Sequence, residues 1–575
     1  MLPSSATPDG PRASNLRRYG PLAVIVVVVV IIGVVVLASR SDDKKPATAT
    51  ASTSSGTKAA SATDAISFSQ AKASGRTDVT FPDGCDMTTG RLAIPMQNFL
   101  QECYANQPAV TDPGTRGVTN DGVTVVVYVA PDQDAVLDFI TSALHITDTG
   151  DQVVDTYTGY SDLFQRFSQT YGRKVNLKFL RASGQSQDAV AARADAVKAV
   201  EELGAFAVWG GPALTNAWTL ELQARGVVCI ACFGVDNPAP NVFNVLPSGE
   251  QSRQQLTEYV SKRLNGKPAK FAGDPAMQTQ TRVFGHLFIE TTGGNERANA
   301  ADVKKRLADA GVRLDTQVSY TLDPARLQEQ ATSVISQLKR AGVTSVIFQG
   351  DPIAPATFTR EATAQGYFPE WVIGPTVLVD TTAFGRTYDQ QQWAHAFGMS
   401  DLPARIDPQK SDAFNLFKWF KGTTPPAVDT AGVILPQPQV FYAGLQAAGP
   451  KLTAETFRQG LFSLEPQPGQ LVSQTYSWGN HGFYPNDDYN AVDDYTEIWW
   501  DAKAVGPDEI RKDGTGMLQY SEGGKRFLPG QWTNDSKGFD PNGAVAIYSS
   551  PPPGEVPKDY PSPAGSSASS SSSAN

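Results

Sequence analysis

Short apolar, β-branched runs alternate with helical stretches through this 575-residue chain, and this alternation constrains the fold more than any other feature. The run VTVVVYVA at residues 123–130 is typical of a strand buried on both faces. Strand-like runs follow at residues 175–180, 205–209 and 227–233, with helical stretches between them. Strands that alternate with helices of about 10–15 residues predict βαβ units and a parallel sheet.

The same alternation restarts after a break at residues 246–248. The strand-like runs of this second unit lie at residues 283–289, 312–320, 343–348 and 371–373. The stretch 325–341 is the clearest helix, with one apolar stripe and Gly342 as its C-terminal stop. Two successive α/β units predict two lobes. Ligands of such open sheets bind beyond the carboxyl ends of the strands, so two facing lobes would form a cleft there.

The sequence therefore predicts an α/β fold with two doubly wound parallel-sheet lobes, preceded by one transmembrane helix. The predicted segments are a cytoplasmic N-terminal segment (1–21), a transmembrane anchor (22–39), a flexible linker (40–80), a two-lobed domain (81–548) and a disordered Pro/Ser-rich tail (549–575). Within the domain, lobe 1 covers about residues 121–247 plus later segments, and lobe 2 about residues 248–375.

The run LAVIVVVVVIIGVVVLA at residues 22–38 carries no charge and is long enough to cross a hydrocarbon core of roughly 30 Å. A cleaved signal peptide is the alternative, although its apolar region usually spans about 7–15 residues. Cleavage after Ser39 stays open. Basic residues flank both ends of the run about equally. Because the leading segment is too short to fold and all four cysteines follow the run, we expect a single-pass protein of the cell membrane with its large domain extracytoplasmic.

The cysteines indicate a disulfide rather than a redox or zinc site. Cys85 and Cys103 bracket a short segment and are predicted to pair in an oxidising compartment. Cys229 and Cys232 form a C-x-x-C inside an apolar run that is typical of a buried strand, so we interpret them as small core residues. Whether these two pair stays open. No second C-x-x-C or His pair accompanies them, which argues against zinc.

Several function classes are disfavoured by composition and motifs. A net charge of −10 without a basic stripe argues against a nucleic-acid partner. The acidic run NDDYNAVDDYTE at residues 486–497 lacks the spacing of a calcium loop, and we expect it to be a solvated acidic face. None of the four histidines stands in a nucleophile–base pattern, and His286 is expected to pack in the core. We therefore expect neither an enzyme nor a metal or cofactor site.

The order of these elements resembles the type I periplasmic binding proteins of the leucine/isoleucine/valine-binding group, which are substrate-binding components of ABC importers. The resemblance covers roughly residues 121–540. It is carried by VTVVVYVA (123–130), GRKVNL (172–177), AFAVWGGPALTNA (205–217), ARGVVCIACFG (224–234), SVIFQGDPIAPATFTREATAQGYFPEW (345–371) and GGKRFLPGQW (523–532). The resemblance implies a hinged, two-lobed protein that closes around a small, amino-acid-like molecule and delivers it to an ABC permease.

The resemblance also implies candidate ligand-binding residues in the first lobe. In amino-acid binders of this family, the ligand carboxylate meets backbone N–H groups and a hydroxyl in two loops that follow strands. The matching residues are Gly210, Gly211, Ala213 and Thr215 in one loop and Phe233 and Gly234 in the next. Glycines let backbone donors approach a ligand, and a following helix N-terminus favours an anion. A tight strand-to-helix turn and an N-cap role for Thr215 are the alternatives.

On the second lobe, the family places an acid or an aromatic residue against the ligand ammonium group. Asp351 occupies the matching loop, and Glu290 ends a strand that points toward the same crevice. Helix capping near Ala354 is the alternative role of Asp351. The chain lacks the Tyr-Gly pair that often follows this strand in the family, which argues against an ordinary aliphatic amino acid as ligand. The long stretch 131–151 replaces the family's short loop after the first strand, so contacts from that loop cannot be transferred. A sensing ectodomain acting through a partner membrane protein and a binding fold with a degenerate pocket are the alternative functions.

Overall fold

The structure is a computed structural model, and it describes part of the chain. The described residues are 63–565 apart from 113, 132, 135–140, 142–145, 213–214, 233–239, 291–294, 324, 377 and 510. The apolar run 22–38, for which we predict a membrane anchor, lies outside them. Among the helices of the described residues, none is long and apolar enough to cross a membrane.

The first lobe contains a small antiparallel sheet and a larger parallel one. The small sheet pairs β1 (Cys85–Asp86) with β2 (Arg91–Leu92). The strands of the parallel sheet are β3 (Gly122–Val129), β4 (Lys174–Arg181), β5 (Ala207–Trp209), β6 (Val228–Ile230) and β7 (Val242–Phe243). Their spatial order is β4-β3-β5-β6-β7, and all neighbours are parallel. The strand order reverses between β3 and β5, which is where ligands bind in open α/β sheets.

Four helices of the first lobe belong to the N-terminal half of the chain. They are α1 (Phe68–Ala73), α2 (Gly150–Phe167), α3 (Ala189–Glu201) and α4 (Ala217–Ala224). Three of them, α2 to α4, pack against this sheet. Ser67 and Thr149 start α1 and α2 with capping boxes, in which their hydroxyls accept the N3 backbone N–H. The buried face of α2 includes Tyr160, whose hydroxyl donates to the carbonyl of Ala413 at 2.6 Å. Helix α2 therefore ties the first sheet to a later part of the chain.

The second lobe is built on an eight-stranded mixed sheet. Its strands are β8 (Phe284–Ile289), β9 (Thr316–Tyr320), β10 (Ser345–Gln349), β11 (Glu370–Ile373), β12 (Ala396–Ser400), β13 (Tyr495–Pro507), β14 (Asp513–Tyr520) and β15 (Arg526–Phe527). The parallel part has the order β9-β8-β10-β11-β12, which repeats the order of the first lobe. Strands β13, β14 and β15 extend it antiparallel. The second sheet thus continues well beyond the predicted end at residue 375.

The helices of the second lobe precede its first strand or connect its strands along the chain. They are α5 (Gly249–Tyr259), which continues into a π-helical turn (Val260–Leu264), α6 (Pro275–Gln278), α7 (Glu296–Asp309), α8 (Leu327–Arg340), α9 (Ala354–Ala364), α10 (Thr382–Gly385) and α11 (Gln390–Trp393). Helix α8 confirms the helix predicted over 325–341. Its stripe of Leu327, Ala331, Val334, Ile335 and Leu338 is buried, which fixes α8 against the sheet.

Four further helices return the chain to the first lobe. They are α12 (Asp412–Lys421), α13 (Ala431–Ile434), α14 (Pro436–Ala448) and α15 (Ala454–Phe462). Nearly all of α14 is buried. The hydroxyls of Tyr442 on α14 and Ser161 on α2 lie 3.0 Å apart. The first lobe is therefore assembled from two distant parts of the chain.

Four chain segments cross between the lobes: residues 244–248 after β7, residues 401–411 after β12, residues 490–494 before β13, and the C-terminal segment after β15, whose Tyr560 reaches Asp86 of the first lobe. The first and third crossings pair directly, because Asn244 N–H donates to the Tyr489 carbonyl and Ala491 N–H donates to the Asn244 carbonyl, each at 2.9 Å. Two lobes joined by a few narrow segments are the geometry that permits hinge motion.

Two segments predicted to be unstructured pack on the folded domain where they are described. Residues 63–80 include α1, and the Thr63 hydroxyl donates to the Ala447 carbonyl at 2.8 Å. In the tail, Trp419 Nε1 donates to the Tyr560 carbonyl at 2.8 Å. The linker prediction is therefore wrong for residues 63–80 and the disorder prediction is wrong for 549–565. Their anchors are hydrogen bonds to distant residues, which composition does not reveal.

The disulfide predicted between Cys85 and Cys103 is confirmed, with 5.8 Å between the Cα atoms. Cys229 and Cys232, whose pairing the sequence leaves open, also form a disulfide. The first pair closes the small sheet at β1. The second pair lies at the carboxyl end of β6.

Candidate functional site

The candidate site is defined by the carboxyl ends of the central strands in both lobes. The switch points of the two sheets lie between β3 and β5 and between β8 and β10. Gly210 and Gly211 follow β5, Glu290 follows β8, and Asp351 follows the last residues of β10. Four of the predicted ligand-binding residues therefore lie at these edges. Ala213, Phe233 and Gly234 lie outside the described residues.

Gly210 and Gly211 form a tight turn at the end of β5. Gly210 adopts φ +74°, a left-handed conformation that favours glycine. A Cβ at Gly211 would lie 2.7 Å from the Trp218 ring, so a side chain does not fit. The Gly210 N–H donates to the Ile230 carbonyl at 2.9 Å, which leaves Gly211 as the candidate backbone donor of this pair.

Thr215 precedes α4 and is nearly buried. Its Oγ1 accepts the backbone N–H of Ala217, the first residue of α4, at 3.2 Å. The N-cap residue of α4 is Asn216, so this bond lies next to the cap and is not the N-cap role given as the alternative for Thr215. Its hydroxyl proton is not used by that bond, so a ligand contact by Thr215 stays a prediction.

Asp351 is fully buried and caps the start of α9. Its Oδ1 accepts the backbone N–H groups of Ile353 and Ala354 at 2.7 and 2.8 Å. Its Oδ2 accepts the Tyr320 hydroxyl at 2.5 Å. Burial raises the pKa of Asp351, and these hydrogen bonds oppose that rise. Both oxygens already have intramolecular donors, so its predicted role opposite a ligand ammonium would compete with the capping role.

Glu290 offers a better placed acceptor at the edge of the second lobe. Its Oε2 accepts from Arg297 Nε at 2.9 Å, and this arginine is largely exposed. Its other oxygen is buried and has no hydrogen-bond partner among the described residues. An unpartnered buried oxygen of a carboxylate costs free energy unless a donor reaches it. Glu290 is therefore the predicted site residue that the geometry leaves most open to a ligand.

Two further polar atoms at these edges were not predicted from the sequence. Trp209 Nε1, at the end of β5, and Thr376 Oγ1, just after β11, are buried without hydrogen-bond partners in the described part of the chain. A tryptophan directly before two glycines in AFAVWGG could have indicated Trp209 as a donor at this edge. Its ring nevertheless packs like a core residue, with its centroid 5.5 Å from that of Phe441. No comparable signal marks Thr376.

A hydrogen bond between distant residues borders the Gly210 turn. Tyr157 on α2 donates its hydroxyl to Gln437 Oε1 on α14 at 2.9 Å. The same Gln437 oxygen lies 3.5 Å from the place of a Cβ at Gly210. The sequence does not predict this hydrogen bond, because 280 residues separate Tyr157 from Gln437. Sγ of Cys232 lies 3.3 Å from the Gly210 carbonyl, so the second disulfide also supports this turn.

The acidic run near residue 490 is buried, so the prediction of a solvated face is wrong. Asp488, Asp493, Asp494 and Glu497 have almost no exposed surface. Arg526 Nε donates to Asp494 at 2.7 Å, and Arg263 pairs with Glu497. Basic residues far along the chain thus neutralise part of the run. The described residues contain no group of three or more His, Cys, Asp or Glu side chains arranged to hold a metal ion.

His286 packs in the second sheet, as predicted. It lies on β8 with 1% of its surface exposed. Burial lowers the pKa of His286 to about 4, so the ring is neutral near pH 7. Gln317 Nε2 lies 3.1 Å from its Nδ1. The Nδ1 atom of this buried ring thus has a hydrogen-bond partner. The ring lies in the middle of β8, away from the carboxyl edge of the sheet.

A groove of about 670 Å³ lies elsewhere, on the first lobe between α1 and α15. Its polar lining is already engaged. Glu102 accepts the Ser69 N–H at 2.5 Å, and Arg458 pairs with Glu455 at 2.6 Å. The groove also lies apart from the carboxyl edges of both sheets. We therefore assign the candidate site to those edges.

Comparison with known proteins finds similarity at the level of solved structures. No family model matches the chain, and no curated protein matches it. An ABC transporter substrate-binding protein from Sphaerobacter thermophilus is 13% identical with a TM-score of 0.48, covering 72% of this chain and 100% of that one. A solute-binding protein from Rhodopseudomonas palustris in complex with 4-hydroxybenzoate is 11% identical with a TM-score of 0.48, covering 72% and 99%.

A branched-chain amino acid transporter substrate-binding protein from Streptococcus pneumoniae, in complex with isoleucine, is 11% identical with a TM-score of 0.42. The match covers 70% of this chain and 100% of that one. Each of these three solved proteins is a substrate-binding or solute-binding protein of an ABC transporter.

Proposed function

We propose that this protein is an extracytoplasmic, membrane-tethered solute-binding protein that captures a small polar molecule between its lobes and delivers it to an ABC importer. The observation that carries this proposal is the repeated strand order of the two lobes, with candidate polar groups at the carboxyl edges of both sheets. Four chain crossings join the lobes, which supports closure of one lobe against the other around a ligand.

The polar groups at the two edges favour a ligand with an acceptor at one end and a donor at the other. The first lobe offers the donors Trp209 Nε1 and Gly211 N–H. The second lobe offers the unpartnered oxygen of Glu290 and the hydroxyl of Thr376. Leaving such a buried atom unpaired costs about 1–3 kcal/mol, which a matching ligand would offset. An amino-acid-like zwitterion has this distribution of charge.

The predicted anchor at residues 22–38 supports the membrane part of the proposal. It would hold the folded domain, described from residue 63 onward, at the outer face of the cell membrane. A permease in the same membrane would then lie within reach.

Thermal denaturation of the full-length chain against amino acids, short peptides and small organic acids tests the proposal. A compound that binds only the native form raises the midpoint as its concentration increases. We expect at least one compound to do so, and Glu290→Gln to weaken its binding about tenfold or more. Glu329→Gln, the same change at an exposed position of α8, serves as the control. The absence of any shift across the panel would overturn the proposal and favour a degenerate pocket.

A further inference from the structure

A hairpin of the second lobe contacts the first lobe directly. Strands β13 and β14 pair antiparallel, and the described residues between them are 508, 509, 511 and 512. Arg511 in this turn forms an ion pair with Asp429, which lies between α12 and α13 of the first lobe. This ion pair, within the part of the chain that the structure describes, links a side chain of the second lobe to a side chain of the first lobe.

The hairpin end is fixed to the second lobe before it meets Asp429. Arg386 donates to the carbonyls of Gly506, Gly514 and Gly516 at 2.6, 2.9 and 2.9 Å. Its Nη1 also donates to the carbonyl of Lys512 at 2.8 Å. One guanidinium thus binds both strands and the turn, so Arg511 moves with the second lobe.

The turn is also joined to the loop that follows β11. The carboxylate of Glu509 accepts the backbone N–H groups of Thr382 and Ala383 at 2.9 and 2.8 Å. These residues begin α10, a few positions after Thr376 of the candidate site. Arg511 is therefore held at the carboxyl edge of the second sheet.

Asp429 is tied in the same way to the carboxyl edge of the first sheet. Its Oδ2 accepts the backbone N–H of Thr147 at 2.9 Å. Asp148 in turn accepts the N–H groups of Asp429 and Thr430 at 3.0 and 2.7 Å. Thr147 and Asp148 belong to the long stretch 131–151 that follows β3, a strand at the switch point of the first sheet. The ion pair thus connects a loop at each edge of the proposed cleft.

We propose that Arg511 and Asp429 form a clasp that favours the closed arrangement of the two lobes. Each partner is held by its own lobe, so a hinge motion that separates the cleft edges breaks the ion pair. The Arg511 side chain has 48% of its surface exposed, whereas the Asp429 side chain has 11% exposed. Such a partly exposed pair contributes modestly and is weakened by salt.

The distance between the lobes in the ligand-free full-length chain tests the clasp. Dyes attached through unnatural amino acids at Val190 and Arg313, which are exposed residues of the first and second lobe, report this distance by single-molecule energy transfer. We expect Arg511→Gln to raise the ratio of open to closed molecules about two- to fivefold at low salt. About 1 M NaCl should bring wild type and variant together.

Two matched variants separate the clasp from a general effect of charge. Lys512→Gln removes the same charge from the neighbouring residue of the turn and should behave as wild type. Arg511→Lys keeps the charge and should recover most of the closed population. An unchanged distance distribution in Arg511→Gln would overturn the clasp. Because the readout needs no ligand, that failure is distinct from a failure of the proposed transport function.

Discussion

At the residue scale, Asp493 illustrates how a carboxyl group is accommodated in a segment that crosses between the lobes. Its side chain is completely buried, and Ser477 Oγ donates to its Oδ2 at 2.5 Å. Its other oxygen has no partner among the described residues. Burial, and then the neighbouring carboxylates of Asp488 and Asp494, raise the pKa of Asp493 to about 9. The group is therefore neutral near pH 7, which lowers the cost of burying it.

This raised pKa predicts how stability depends on pH. The unfolded carboxyl has a pKa of about 3.9, so the folded state binds the extra proton between that value and about 9. The contribution of Asp493 to stability is therefore fully present at low pH and is lost as the pH rises through this window. Asp493→Asn, which mimics the neutral acid, should reduce the loss of unfolding free energy between pH 5 and pH 9, measured by urea denaturation.

Asp487→Asn provides the control for this measurement, since Asp487 is exposed in the same acidic run. It should leave the pH dependence as in wild type. Equal slopes for wild type and Asp493→Asn would show that Asp493 is ionised in the folded protein.

The capping role of Asp351 leads to a second prediction at this scale. Asp351→Ala removes the acceptor of two backbone N–H groups at the start of α9 and leaves the proton of the Tyr320 hydroxyl without its acceptor. The unfolding free energy should fall by about 1–3 kcal/mol in the absence of ligand. Asp351→Asn, which retains an acceptor oxygen, should lose less. A change below about 0.5 kcal/mol in the alanine variant would contradict the capping role.

At the element scale, a buried ion pair fixes three strands of the second sheet. Arg282 lies just before β8, and its guanidinium donates two hydrogen bonds, at 2.7 and 2.9 Å, to the carboxylate of Glu370, the first residue of β11. Ser345, the first residue of β10, donates to the same carboxylate at 2.6 Å. Neither charged side chain has more than 2% of its surface exposed. The amino ends of β8, β10 and β11 are thus aligned by one carboxylate.

Removing this carboxylate should be costly because it leaves the Arg282 charge buried without its partner. We expect Glu370→Ala to lower the unfolding free energy by about 3–5 kcal/mol in urea denaturation. Asp309→Ala breaks the exposed pair with Lys305 on α7 and should cost no more than about 0.5 kcal/mol. Similar losses in the two variants would contradict a buried role for the Glu370 pair.

Local patterns were sufficient for the elements whose burial is continuous. The runs at 123–130 and 283–289 correspond to β3 and β8, and the helix at 325–341 corresponds to α8. Strand β13 was not predicted, because its first half is buried and its second half partly exposed, which produces no single period. Its position is set by pairing with β12, about a hundred residues earlier in the chain.

The sequence likewise predicts some residues of the candidate site and not others. The glycine turn after β5 and the position of Glu290 follow from strand ends and loop composition. The Tyr157–Gln437 hydrogen bond and the burial of the acidic run depend on residues brought together only by the tertiary fold. Such long-range partners leave no local pattern in one sequence.

At the scale of the whole molecule, the C-terminal segment follows the crossings and returns to the first lobe. Tyr548 pairs with the second crossing, where its N–H donates to the Arg405 carbonyl at 2.8 Å. The carboxylate of Glu555 then accepts the N–H groups of Leu471 and Val472 at 2.7 and 3.1 Å. Farther on, Tyr560 donates its hydroxyl to Asp86 beside the first disulfide, at 2.8 Å. This segment is therefore the fourth chain crossing, and its hydrogen bonds tie it to the second crossing and to the first lobe.

Deleting residues 549–575 should therefore destabilise the protein. The deletion leaves the backbone donors of Leu471 and Val472 and the indole of Trp419 without these acceptors. We expect a loss of at least about 1–3 kcal/mol of unfolding free energy in urea denaturation. Deletion of residues 566–575 alone is the matched control and should leave stability unchanged. Equal stability of both truncations would show that residues 549–565 do not contribute.

The central claim is that a small polar molecule binds between the carboxyl edges of the two sheets. A crystal structure of the protein with the compound that most raises its thermal midpoint tests this claim most directly. We expect ligand density between the turn after β5 and the end of β8, within hydrogen-bond distance of Glu290. Density in the groove between α1 and α15, or at another surface away from both edges, would contradict it.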